Sequence, residues 1–451
     1  MNSRWRWVAV VAVLVVAAAG GTAYVVTRPA ATTHRAAPAP HPVVRAAALT
    51  AVAPDGASSA TASGVAAALG RPAADPAFGG SLTGMVVNAA TGDVLLDRDG
   101  GTPMIPASTV KLLTAAVALT ALGPTATLRT DVLQSGTTLY LRGGGDVTLT
   151  GQRVGASAYP RPATIAALAA ATAQHVRTAT ALCADVSAWT GPASAPGWNA
   201  GYFTGGDIEV PTALEADEGR LSPTNHARAP HPARTALAVF AAALKKAGVA
   251  VRQAGCVQPA PAAAAATVAS VNSPPISALV HRMLTDSDND LAEALGRAVA
   301  TAAGRPASFA GEAAALISGL DRLGLTTEGL RLVDASGLSR LDRVSAATLV
   351  AVLRAAASQP ALRGLLDGVP VAAATGTLAK RYRSAPARLG AGVVRAKTGT
   401  LSGVNSLAGT VVDADGRLLL FAFFTDRAIG PSRAEAALDR LAAVLAGCGC
   451  R

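Results

Sequence analysis

Apolar and polar positions alternate through residues 81–96 with the period of two that sends successive side chains to opposite faces of a strand. Thr91-Gly92 supplies a turn between two such strands. Pro106-Ala107-Ser108 then opens a stretch of helical periodicity that runs to Leu122. Over residues 123–261 the pattern breaks into short strands, Gly-rich turns and two Ala-rich helical pieces, at 162–174 and 234–247. Helical spacing returns over 276–303, with a polar break at 286–290. Three antiparallel strands are expected at 393–398, 406–412 and 418–425, the last two joined by Asp415-Gly416. A helix over 432–446 closes the chain, and no internal repeat is visible.

The N-terminus carries a different pattern. Arg4 and Arg6 precede an apolar run over 7–26, and Arg28 follows it. A run of that length just spans a bilayer, and the leading basic residues hold the N-terminus inside. Residues 1–28 are therefore expected to be an uncleaved signal-anchor. Gly20, Gly21 and Thr22 interrupt the run and leave a cleaved signal peptide as the alternative. The Ala/Pro-rich stretch 29–57 reads as a linker, and the folded part starts near residue 58.

At 451 residues the chain is long enough for two or three domains. Hydrophobic residues are 51% and charged residues 15%, which excludes global disorder. The net charge of +11 suits an anionic surface such as wall polymer or lipid headgroup. With 4% aromatics and no nucleic-acid motif, a nucleic-acid partner is not expected. Among 39 basic residues the only lysines are Lys111, Lys245, Lys246, Lys380 and Lys397. In such an Arg-rich chain, Lys marks places that need a compact ammonium able to lose its proton. Of the four cysteines, Cys183 and Cys256 share the middle segment and are the preferred disulfide pair. Cys448 and Cys450 flank one Gly; a bridge between them is expected to be strained, leaving a redox pair or free thiols open.

Three short motifs follow in order. Ser108-Thr109-Val110-Lys111 places a hydroxyl and an amine one helical turn apart. A Ser hydroxyl is a weak nucleophile and needs a neighbouring base, which a partly desolvated Lys can supply. Ser287-Asp288-Asn289 lies in the polar break between helical segments. A Ser beside a Lys could pass a proton to a leaving amine, and an Asn could hold Lys111 and a substrate amide. Lys397-Thr398-Gly399-Thr400 ends a strand. It offers a cation and two hydroxyls for a terminal carboxylate, with Gly399 letting the strand edge approach a ligand.

Taken together, these motifs resemble the signature of penicillin-binding proteins and class A β-lactamases. The stretch between Lys111 and Ser287 is too long for a compact β-lactamase. The chain is identified as a member of the penicillin-binding protein 4 type, the class C low-molecular-mass D-alanyl-D-alanine carboxypeptidase/endopeptidases. Further matches are Gly143-Gly144-Gly145-Asp146, Asp217-Glu218-Gly219, Ser273-Pro274-Pro275, Ala292-Glu293 and Asp334-Ala335-Ser336-Gly337-Leu338-Ser339. Val147 stands where Pro is usual and Ala335 where Gly is usual.

The resemblance implies an α+β fold. A transpeptidase-like body, an antiparallel sheet flanked by helices, would span 58–122 and 262–451, with a smaller α/β body inserted at 123–261. It implies that Ser108 attacks the carbonyl between two D-alanines, with Lys111 as base and Ser287 and Asn289 managing proton and substrate. Lys397, Thr398, Gly399 and Thr400 would bind the carboxylate, and Asp185 and Arg340 would take the diamino-acid side chain. Peptidoglycan stem peptides are the implied substrate, β-lactams the inhibitors, and no cofactor or metal is implied. A β-lactamase and a non-catalytic wall-binding protein of the same fold are the alternatives.

Several other motifs do not carry that chemistry. Asp286-Ser287-Asp288-Asn289-Asp290 looks like the start of a calcium loop, but Leu291 replaces the sixth-position Gly and Arg297 the twelfth-position Glu. Thr375-Gly376-Thr377 imitates the third motif with Ala374 in place of Lys. Asp217-Glu218 is expected to be a solvated, structural turn.

Overall fold

The computed structural model describes residues 60–151, 161–222, 227–261 and 265–451. The expected signal-anchor and linker lie outside these residues. Among the described residues, no helix is long and apolar enough to cross a membrane.

In chain order the helices are α1 (Ala62–Ala73), α2 (Lys111–Ala121), α3 (Ile165–His175), α4 (Gly201–Gly205), α5 (Pro232–Lys246), α6 (Ile276–Asp286), α7 (Asn289–Ala302), α8 (Phe309–Arg322), α9 (Ala346–Ser358), α10 (Arg363–Gly368) and α11 (Pro431–Gly447). The strands are β1 (Thr83–Asn88), β2 (Val94–Arg98), β3 (Arg129–Ser135), β4 (Thr138–Gly143), β5 (Thr178–Asp185), β6 (Ala250–Val257), β7 (Ala266–Asn272), β8 (Arg395–Leu401), β9 (Val404–Val412) and β10 (Leu418–Thr425).

Two five-stranded sheets form. The first has the order β2-β1-β10-β9-β8 and is antiparallel throughout. Every residue of β10 is buried, because helices cover both faces. Leu420, Ala422 and Phe424 join one core with α2, α6, α7, α8 and α9. The alternate residues Leu419, Phe421 and Phe423 join a second core with α1 and α11. This period-two split sandwiches the sheet between two helical layers and is why the strand reads as one unbroken apolar run.

The second sheet has the order β6-β5-β4-β3-β7, with β5 parallel to both β4 and β6. Helices α3 and α5 pack on it around Leu168, Leu237 and Phe240. β7 lies past residue 261, so this sheet closes beyond the expected end of the insert. Cys183 and Cys256 sit opposite each other on β5 and β6 and are disulfide-bonded. Cys448 and Cys450 are bonded as well, so the alternative of free thiols is corrected; the tail turns back through a left-handed Cys450.

Candidate active site

Ser108 lies in a single 3-10 turn, Ala107–Val110, that runs directly into α2. The turn begins strained: Ala107 has φ +48. Gly337 packs against it so closely that a Cβ there would collide with the Ala107 carbonyl. Gly399 of β8 presses on the same turn, where a Cβ would fall 2.6 Å from the Pro106 carbonyl oxygen and collide with Ser406 Oγ. The glycine of the third motif therefore serves to bring β8 against the nucleophile turn, a role different from admitting a ligand to the strand edge. Ser406 Oγ donates to the Pro106 carbonyl at 2.7 Å and reinforces this junction.

Lys111, the first residue of α2, is 0% exposed. Its Nζ lies 2.9 Å from Ser108 Oγ, 2.6 Å from Asn289 Oδ1 and 2.7 Å from the Ser336 carbonyl oxygen. Burial lowers its pKa to about 8, against the pull of Asp334, Glu293, Asp288 and Asp290. An amine at that value reaches its neutral form near physiological pH, and one of its three hydrogen-bonding neighbours is a serine hydroxyl.

Asn289 begins α7, and Asp288 caps that helix by accepting from the Leu291 N–H at 3.0 Å. The other arm of Asn289 donates to the Asp207 carbonyl at 2.8 Å. Ser287 ends α6 with φ +61, the reversal that separates the two helices. Its hydroxyl accepts from Lys397 Nζ at 2.8 Å, so its lysine neighbour is that of the third motif. Lys397 is 0% exposed and also donates to the Thr398 carbonyl at 2.7 Å. Burial, then the charges of Lys111 and Arg381, hold its pKa well below the ordinary lysine value. A carboxylate arriving in the cleft would supply the missing counter-charge. Thr398 Oγ1 is 2.9 Å from Thr377 Oγ1, and Thr400 Oγ1 donates to Glu435 at 3.0 Å. β8 is the edge of its sheet; Pro370 and Val371 cover its outer side only at Arg395 and Ala396.

A buried scaffold holds this arrangement. Asp334 is 0% exposed and accepts from the Gly337 and Ser339 N–H groups, each at 2.7 Å, and from Trp198 Nε1 at 2.6 Å. Glu293 accepts from the Ser336 N–H at 3.0 Å and so fixes the carbonyl that holds Lys111. Arg297 ties Glu293 to Glu312 and lies over the rings of Trp189 and Phe309.

The structure thus forms two hydrogen-bonded sets, Ser108–Lys111–Asn289 and Ser287–Lys397–Thr398, near enough that the charge of Lys111 acts on Lys397. Arg340 stands at the end of β8, donating to the Ser402 carbonyl at 2.8 Å. Asp185 is different. It is buried, and its carboxylate accepts from the Ser187 N–H, the Ser187 hydroxyl and the Ala260 N–H. Oδ1 holds the turn after β5, while Oδ2 takes a single N–H from the segment after β6 and keeps acceptor capacity. Sequence reasoning missed Thr377, Glu435, Trp198 and the Ser336 and Asp207 carbonyls. The Thr-Gly-Thr stretch was the available signal for Thr377; backbone carbonyls have none. The solvated reading of Asp217-Glu218 is corrected: Glu218 is 2% exposed and ion-paired to Arg220 and Arg228. Both arginines are close in sequence, whereas Asp288 and Asp290 reach it from the start of α7.

Comparison with known proteins agrees with this geometry. Residues 65–231 and 224–446 match the model of the D-Ala-D-Ala carboxypeptidase 3 (S13) family. The carboxypeptidase DacB of Mycolicibacterium smegmatis is 42% identical over 397 residues, covering 86% of this chain and 85% of the relative. The carboxypeptidase Rv3627c of Mycobacterium tuberculosis is 42% identical over 424 residues, covering 92% and 90%. The crystal structure of penicillin-binding protein 4 from Haemophilus influenzae superposes with a TM-score of 0.70 at 24% identity, covering 84% of this chain and 97% of that one. That likeness confirms the transpeptidase-like α+β fold. With a family model that spans most of its length, and with relatives alike over most of theirs, the chain belongs to the D-Ala-D-Ala carboxypeptidase 3 (S13) family.

Proposed function

We propose that this protein is a serine-type D-Ala-D-Ala carboxypeptidase/endopeptidase that trims or cleaves peptidoglycan stem peptides through an acyl-enzyme on Ser108. The observation that carries the reading is Lys111: a fully buried amine, 2.9 Å from the Ser108 hydroxyl, with its pKa lowered by burial. Neutral Lys111 takes the Ser108 proton as Oγ bonds to the carbonyl carbon between two D-alanines. Asn289 keeps the amine aimed and has an amide to offer the substrate backbone. As the tetrahedral intermediate collapses, the C–N bond breaks. The proton that Lys111 took from Ser108 passes by way of the Ser287 hydroxyl, held by Lys397, to the leaving amine, which returns Lys111 to its neutral form. Lys397, Thr398 and Thr400 bind the terminal carboxylate, and Arg340 stands at the rim for the diamino-acid side chain. Water then hydrolyses the ester and frees Ser108.

A β-lactam presents an amide and a carboxylate in the same relation and acylates Ser108 in the substrate's place. The family match favours the peptidase over a β-lactamase, and the bond between Lys111 and the Ser108 hydroxyl favours an enzyme over a binding module. Such a substrate places the enzyme outside the cytoplasm. The apolar run at 7–26 fits export, with the segment kept as an anchor or removed.

The test is labelled penicillin followed by intact mass over time, beside release of D-alanine from a stem peptide. A lasting adduct on Ser108, lost together with D-alanine release in Ser108→Ala, is expected. Unchanged release in that variant refutes the mechanism. A short-lived adduct with drug turnover identifies a β-lactamase instead.

A further inference from the structure

The hydroxyl of Thr400, which binds the substrate's terminal carboxylate in the mechanism above, is already engaged within the protein. Thr400 Oγ1 donates to Glu435 Oε1 at 3.0 Å. A threonine hydroxyl carries one proton, and a carboxylate accepts only. Asn405 Nδ2 approaches the same oxygen to 3.5 Å and is itself a donor, so it takes no proton from Thr400. Glu435 therefore holds the single proton that Thr400 has to give. A substrate carboxylate must win it from that residue.

The placement of Glu435 suits such a contest. Alternation along β8 puts Thr398 and Thr400 on one face and Lys397 and Gly399 on the other. Gly399 faces the nucleophile turn at Pro106 and Ala107. Ala396, on the same face as the two threonines, packs in the core that α11 shares. Glu435 thus reaches the carboxylate-binding hydroxyls from the α11 side, away from Ser108.

A second observation concerns where its side chain can go. Asp439, one turn along α11, holds Arg381 at 2.7 and 2.9 Å, and Arg381 donates to the Glu435 carbonyl at 3.3 Å. These bonds fix the backbone of Glu435, while its side chain is only partly buried. It borders a cavity of about 260 Å³ that Lys380, Arg383 and Ser432 also line. The ion pairs at this cavity are Arg381–Asp439 and Arg440–Asp75. They leave Lys380 and Arg383, both exposed, without a carboxylate partner among the described residues. A carboxylate released from Thr400 has both room and positive charge to turn towards.

We propose that Glu435 is a specificity-determining residue of the carboxylate site. It is a resident anion that occupies the Thr400 hydroxyl and yields it to the terminal carboxylate of a stem peptide. It does so by turning into the cavity of Lys380 and Arg383, and it reclaims the hydroxyl as D-alanine leaves. The inference rests on the assignment of Thr400 to that carboxylate. No covalent bond changes; one hydrogen bond passes from a resident anion to an incoming one. The resident anion accordingly lowers affinity for the incoming one, and its return helps to clear the product.

D-Alanine release from a stem pentapeptide is measured as kcat and KM. The proteins are the full chain, Glu435→Gln, Glu435→Asp, Thr400→Val and the double variant Thr400→Val/Glu435→Gln. Glu435→Gln weakens the resident acceptor and should lower KM about three- to tenfold, with a smaller change in kcat. Glu435→Asp keeps the charge but draws it back from Thr400 by one methylene, and KM should fall there too. In the Thr400→Val background, Glu435→Gln should leave KM within about twofold. A KM that is unchanged or raised in Glu435→Gln overturns the proposal. An equal fall in the Thr400→Val background also overturns it and assigns Glu435 to plain charge repulsion. If Thr400→Val does not fold, as judged by thermal unfolding, Glu435→Asp decides, because repulsion from a retained charge predicts no fall in KM. The acyl-enzyme itself stands or falls on Ser108→Ala, so the two readings fail in different measurements.

Discussion

The protonation state of Lys111 gives a quantitative test of the acylation step. Its three partners are fixed at 2.6–2.9 Å, so the variable that pH controls is the fraction of neutral amine. The pKa of about 8 arises because burial disfavours the ammonium more than the surrounding carboxylates favour it. Only the neutral form accepts the Ser108 proton, so the rate must rise with pH. For a pKa near 8, roughly one-eleventh of the amine is neutral a unit below and ten-elevenths a unit above, a change of about tenfold across two units.

The assay is acylation by a fluorescent penicillin in stopped flow at constant ionic strength, resolved into the saturating rate and the apparent dissociation constant. The saturating rate should climb about tenfold across that window and level off. Lys397 affects the other parameter, since its ammonium matters for holding the carboxylate. A saturating rate that is flat over the same window, or that falls with rising pH, would refute Lys111 as the general base.

Other outcomes follow from the same contacts. Gly399→Ala pushes a methyl group into the Pro106 carbonyl and Ser406, so acylation should fall at least tenfold and thermal stability by about 1–3 kcal/mol. Thr377→Val removes the hydroxyl against Thr398 and should raise KM for a stem peptide several-fold with a smaller change in kcat, as read by D-alanine release. Buried Asp146 has its pKa raised to about 6 by burial, and one oxygen has no partner. Its ionised form is disfavoured in the fold, so its contribution to stability falls as pH rises from the unfolded value of 3.8 to about 6 and stays low above. Asp146→Asn should therefore stabilise the protein at neutral pH by about 1–3 kcal/mol, and the gain should vanish near pH 4, measured by denaturant titration.

Local physics made much of this protein legible in sequence. Every β10 residue is apolar except the last, and the predicted span matches the strand because a sheet covered on both faces needs no polar alternation. The break at 286–290 is visible because helix termination needs local polar groups, and Asp288 supplies the cap. The Ser108–Lys111 pairing is legible because one turn of backbone suffices to create it. Helices α8 and α9 escaped because their Ala-rich sequences are buried around much of their circumference, which erases the polar face that periodicity relies on.

Tertiary structure alone decided the rest. Nothing local says that Ser287 bonds Lys397 at 2.8 Å, that the Ser336 carbonyl completes the cage of Lys111, or that Asp185 reaches the Ala260 N–H beyond β6. Nor does it say that Glu218 leaves solvent to meet Asp288 and Asp290. Residue type and spacing determine what a side chain is able to do. Long-range packing sets burial and partners, and these determine which protons move and which charges remain uncompensated.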